Sequence, residues 1–179
     1  MFNFDAEMPY LSGMEFVSDA ILEELAAAVT GELTALSHLR FKFEVQQMML
    51  FGGRGAWIDE TTEDLERAIA DVQGADEVFR RCLATAARRL GLSPESTLRE
   101  IADGAVEPWS YIFAQGREDM QRAIARVGQL CTENRKLLAQ GYLATTQALS
   151  LLGVATPGAY TEDGSVEAPP TSIILNAKA

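Results

Sequence analysis

Few residues in this chain could do chemistry, and their spacing argues against each use. The one histidine, His38, could act as a base or a metal ligand, and Cys82 and Cys131 could act as thiolates or zinc ligands. A zinc site needs several such ligands in register, and a nucleophile needs a base beside it. The two cysteines are too far apart for a zinc knuckle and too few for a disulfide scaffold. Each falls on an apolar helical stripe and reads as a small core residue. His38 lies one residue from an apolar row, with Glu32 and Lys42 at helical distances, and no Glu-x-x-His pair of the di-iron type is present. Gly52-Gly53-Arg54-Gly55 has the glycines of a phosphate loop but lacks the Lys-Ser/Thr that should follow. It also follows a helical pattern rather than a strand, so it reads as an interhelix turn. The expectation is a protein that is not an enzyme, with no catalytic residue, no metal and no cofactor.

The elements that must carry any other function are helical. The chain has 179 residues, 47% of them hydrophobic and 23% charged, a length and balance suited to one globular core. Prolines at 9, 94, 108, 157, 169 and 170 leave three long uninterrupted stretches. In the first, from about Val17 to Leu50, Leu22, Val29, Leu36, Phe43 and Leu50 recur every seven residues, with Leu25, Leu33 and Leu39 filling the seam. That heptad stripe marks a helix packed lengthwise on other helices. The second opens at Thr61-Thr62-Glu63-Asp64, a hydroxyl cap followed by acids, and carries Leu65, Val72, Phe79 and Ala86 in one row. Gly91 is its predicted stop. Ser93-Pro94-Glu95 reads as the cap of a short helix ending near Gly104. The third runs from about Trp109 to Leu152, and beyond Gly153 the pattern breaks into a Pro- and Gly-rich tail. These patterns predict an all-α chain: an elongated antiparallel bundle, or coiled-coil hairpin, of three long helices plus a short one. The expected boundaries are a helical domain at 1–153 and a flexible, irregular C-terminal tail at 154–179.

Charge narrows the partners. The formal net charge is −11, which disfavours nucleic acid. Residues 105–152 hold four acids and five bases, so the acidic excess lies in the preceding segments. Met1 to Tyr10 carries Asp5 and Glu7 and lacks a basic region followed by an apolar run, so no signal peptide is expected and the location reads as cytoplasmic. From Leu137 to Thr161 there is no charged residue, a run of 25 that is long enough to cross a bilayer. Gln140, Thr145, Thr146, Gln147 and Ser150 make it too polar, and Pro157-Gly158 cut it short, so no membrane insertion is expected. A helix uncharged on every face is normally covered on more than one side. Either the first two helices cover it, or a partner helix does when bound.

Asn134 occupies a row otherwise apolar: Phe113, Met120, Val127, Asn134. A buried asparagine there would set helix register, and an accessible one would orient a partner; the spacing leaves both open. Leu137, Leu138, Tyr142, Leu149 and Leu152, with Asn134 and Gln140 orienting, form the expected protein-binding face. Tyr160, in the Pro- and Gly-bounded tail, offers an amphipathic ring as an anchor for a second partner.

Arg40-Phe41-Lys42-Phe43-Glu44-Val45-Gln46-Gln47, then Gly53-Arg54-Gly55-Ala56-Trp57 and Glu107-Pro108-Trp109 occur in order along the chain. Thr132-Glu133-Asn134-Arg135-Lys136-Leu137-Leu138 and Tyr160-Thr161-Glu162-Asp163-Gly164 follow. From about Leu22 to Ala179 the chain resembles the FlgN family of flagellar export chaperones, in its longer, actinobacterial-like form. The resemblance implies a cytoplasmic chaperone of flagellar type III protein export. Such a chaperone binds the C-terminal helices of hook–filament junction proteins, keeps them from polymerising early, and delivers them to the cytoplasmic domain of the export gate. It places the client on the C-terminal helix and gate docking on the tail, where Tyr160, Asp163 and Gly164 match a Tyr-x-x-Asp-Gly pattern. Thr161 stands where family members often have Gly. A monomer or weak dimer is expected. The alternative is a structural coiled-coil scaffold that self-associates through the neutral helix. The Ile173-Ile174-Leu175 segment of the tail has no assigned role.

Overall fold

A computed structural model describes residues 8–152 of the chain, with side chains from residue 19 onward. The tail expected at 154–179, with Tyr160, Asp163 and Gly164, lies outside the described residues. Among those described there are four α-helices and no strand: α1 (Met8–Phe51), α2 (Ile58–Arg89), α3 (Leu98–Gly104) and α4 (Trp109–Leu151). The chain divides into two compact units, Met1–Asn134 and Arg135–Ala179, so α4 contributes to both.

Within the first unit the heptad rows meet as two apolar clusters. Leu22, Leu25 and Val29 of α1 gather with Ala86 and Ala87 of α2, Ile101 of α3 and Phe113 of α4. Leu39 and Phe43, later in α1, gather with Leu65 and Ala68, early in α2, and with Leu130 of α4. The order of these residues makes α2 antiparallel to α1 and returns α4 parallel to it, an up-down-up bundle. Cys131 is partly buried against the second cluster and Cys82 against the first, so both cysteines lie on packed apolar faces.

The two long helices preceding α4 end the same way. Gly53 adopts φ +63° and Gly91 φ +72°. Arg54 N–H donates to Met49 C=O and Gly53 N–H to Leu50 C=O at one end; Leu92 N–H donates to Ala87 C=O and Gly91 N–H to Arg88 C=O at the other. This pair of bonds satisfies carbonyls the helix would otherwise leave open, and glycine takes the left-handed position without a Cβ penalty. Gly52-Gly53-Arg54-Gly55 is thus a helix stop and turn.

Helix starts differ from the sequence expectation. α2 begins at Ile58 rather than at Thr61, because a 3₁₀ turn at Gly55–Trp57 already feeds the chain into helix. Thr61 and Thr62 instead donate their hydroxyls back to Ile58 C=O, at 2.9 and 2.8 Å. Ser93-Pro94 does not cap α3. Ser96 N–H bonds Ser93 C=O in a turn, and α3 starts four residues later at Leu98 behind Thr97. There Thr97 Oγ1 accepts from Glu100 N–H while Glu100 Oε2 accepts from Thr97 N–H, a reciprocal cap that outcompetes the Ser-Pro signal. The Thr97 bonds hold the Glu100 carboxyl below its usual range, the backbone N–H contributing most. α1 starts earlier than expected, with Pro9 in its first turn, where no intrahelical N–H is needed.

At the turn end of the bundle Lys42 Nζ donates to Asp64 Oδ2 at 2.6 Å, tying α1 to α2, and Arg67 approaches the other oxygen at 2.6 Å. The Lys42 hydrogen bond above all keeps the Asp64 carboxyl below the ordinary carboxylate range.

α4 lies close against α1 at Gly116, which is buried; a Cβ built there would lie 2.8 Å from Val29 Cγ1. Val29 is itself buried and stiff at χ1, so it cannot swing aside. Gly128, in the same helix, meets nothing within 4 Å. The same substitution at the two positions should therefore change stability in opposite directions. Gly116→Ala should lower stability by about 1–3 kcal/mol through overpacking, and Val29→Ala on top of it should relieve the strain. Gly128→Ala should raise stability by up to about 1 kcal/mol through helix propensity. Thermal or urea melts of the three variants check this; two changes of the same sign would contradict it.

Candidate functional site

α4 is clamped at its start and along the first unit before it reaches the residues of interest. Trp109 Nε1 donates to Asp19 Oδ1 of α1 at 3.1 Å, and its ring stacks on Phe113 with centroids 5.9 Å apart. At the far end of the unit the helix is held by amides. Asn134 Nδ2 donates to Phe43 C=O at 2.9 Å and to Gln46 Oε1 at 3.1 Å. Gln46 Nε2 passes the chain on to Thr62 Oγ1 at 3.3 Å, and Gln47 Nε2 reaches Glu133 Oε2 at 3.0 Å. Two acceptors face the same end of the Asn134 amide, which sets its orientation. Asn134 is 2% exposed and Gln46 is 4% exposed, so this ladder linking α4, α1 and α2 runs inside the unit.

That placement corrects the expectation that Asn134 orients a bound client. Its amide is committed to α1, and the buried amide in an apolar row sets register instead. Asn134 Oδ1 is buried and finds no donor among the described residues. Asn134→Ala should cost about 1–3 kcal/mol, because it removes the donor facing Gln46 Oε1 in a closed site. A denaturant melt measures it; an unchanged midpoint would mean the ladder carries no stability.

The described part of the second unit, 135–152, is helical through Leu151 and has no charge after Lys136. Large apolar side chains stand open on it: Leu138 at 37%, Tyr142 at 47%, and Leu152 at 77%. Leu137 and Leu149 are half-buried, and Gln140 is exposed. Leu143 and Leu151 are also exposed and were absent from the expected face. Leu151 continues the heptad of Leu137 while Leu143 lies off it; the same charge-free run contains both, and that run was the signal available. Phe41, Met48, Phe51 and Trp57, near the α1–α2 turn, are likewise exposed and unanticipated. His38 is exposed. Among the described residues no group of three or more His, Cys, Asp or Glu could hold a metal, and no helix is long and apolar enough to cross a membrane.

The described chain is thus a helical bundle continued by a helix segment whose apolar side chains stand open. The family model described as FlgN protein matches residues 14–168, and the chain belongs to that family of flagellar export chaperones. No curated protein and no solved structure matches it.

Proposed function

We propose that this chaperone is cytoplasmic, holds the C-terminal helices of hook–filament junction proteins on the charge-free part of α4, and hands them to the cytoplasmic domain of the export gate. The observation that carries this reading is the open apolar set Leu138, Tyr142, Leu143 and Leu152 on a segment without charge. A filament-building helical end exposes an amphipathic face that aggregates if left bare. A helix with unfilled apolar positions shields it by packing, with no chemical step. The client contacts are then Leu138, Tyr142 and Leu152, with Leu137 and Leu149 beneath them, Leu143 beside them and Gln140 at the rim. The acidic excess before residue 105 keeps such a surface soluble.

Leu138→Asp and Leu152→Asp test this directly. Both side chains are already exposed, so the free protein should melt as the parent does. A bound helix would bury the new charge unpaired, which costs about 2 kcal/mol or more and should weaken junction-protein binding at least about thirtyfold. Calorimetric titration with a C-terminal junction-protein fragment reads the affinity, and undiminished binding by both variants would remove this face. Sedimentation of the parent separates the scaffold alternative, in which a stable oligomer persists in the presence of that fragment.

Delivery is assigned to Tyr160, Asp163 and Gly164, the residues of the Tyr-x-x-Asp-Gly pattern. Tyr160→Ala should leave fold stability and client affinity unchanged and weaken the loaded complex for the isolated gate domain. Titration of loaded and empty protein against that domain is the measurement; equal affinity of variant and parent would take Tyr160 out of the docking site.

A further inference from the structure

The core of the first unit falls into two clusters along its length, with buried Leu36 between them. One cluster ends on α1 near Val29 and Leu33, and the other begins at Leu39. Between them α1 turns Glu32 inward, 5% exposed, and its Oε2 has no hydrogen-bond partner among the described residues. The charges facing it come from α2: Asp76, and Arg80, whose guanidinium is already bonded to Asp76 and also feels Glu77. On α4, the Val29–Gly116 contact puts Asp119 and Arg122 nearest in level, and those two pair with each other, while Arg117 bonds Gln121. One turn away on α1 itself stand only Ala28, Val29, Ala35 and Leu36. An open groove of ≈ 440 Å³ runs along the α1–α2 seam from Glu24 and Cys82, beside the first cluster, to Gly31 and Ala75, next to Glu32.

An inward carboxylate that lacks a full set of partners is expensive to keep ionised. We propose that Glu32 makes this waist a charge-gated joint between the two core clusters: ionised, it loosens the α1–α2 seam, and protonated, it lets the seam close. Burial first, and repulsion from Asp76 second, push the Glu32 carboxyl above its usual range, with Arg80 only partly opposing. The folded chain therefore takes up a proton at a higher pH than the unfolded chain does. Stability at the waist rises as pH falls through the raised value and declines again as pH climbs past it.

Hydrogen exchange of the full chain, corrected for intrinsic rates, tests the joint in steps from pH 7 down to pH 4. At pH 7 segments 30–37 and 72–79 should exchange faster than 22–29 and 84–90, and they should slow towards the rate of those flanks as pH falls and Glu32 takes up its proton. Glu32→Gln should show the slow pattern across the whole range, with a higher melting temperature at pH 7. Asp76→Asn removes the repulsion and frees Arg80, so it should move the change in protection to lower pH. The proposal is overturned if the parent's waist exchanges like its flanks at pH 7, or if Glu32→Gln keeps the pH response. Should Glu32→Gln not fold, an unmoved midpoint in Asp76→Asn overturns it instead.

Discussion

The seating of α4 against α1 governs the first unit, and it rests on a pair of opposite devices. At Gly116 the absence of a side chain lets the backbone approach Val29 closely. At Asn134 an amide placed inside an apolar row reaches across to Phe43 C=O and Gln46. The glycine contact is short-range packing and tolerates little change of volume. The amide ladder is directional: sliding α4 by one turn would leave Asn134 and Gln46 buried with unmatched donors and acceptors. Together they fix both the distance and the register of two parallel helices whose heptad rows alone would permit other alignments.

Register matters because α4 belongs to both units. Its first part is spent on the bundle: Phe113 and Leu130 are fully buried. The chain divides just after Asn134, and from Leu137 onward charge vanishes while apolar side chains stay open. The client-holding role proposed above calls for both properties in one protein, a packed bundle and a helix face that does not fill itself.

The bundle has a weak point of its own in Glu32. Helix packing would be better served by an apolar residue at a position 5% exposed. The acid sits where the two clusters part. An interior charge at that level favours local opening there over opening of the clusters on either side.

Much of this was legible in the residues. Heptad rows, proline positions and the glycine stops gave three long helices and their order, because periodic burial is a one-dimensional signal that survives without coordinates. The run without charge marked the open part of α4 for the same reason. Local competition was harder to read. Ser93-Pro94 and Thr97-x-x-Glu100 are both start signals, and the reciprocal bonds of the second decided the matter. Thr61 and Thr62 looked like a cap until the preceding 3₁₀ turn had begun the helix. Asn134 could have faced a client or the core, and its side chain's direction depended on where α1 put Phe43 and Gln46. Glu32 stands seven residues from both Leu25 and Leu39, and the packing of α2 over that row is what removes an acid there from water. The sequence by itself determined which segments are helices and where charge is withheld, since both follow from neighbours a few residues apart. The tertiary structure alone decided which polar groups are buried and with whom, because burial and pairing depend on residues some 90 positions distant in the chain.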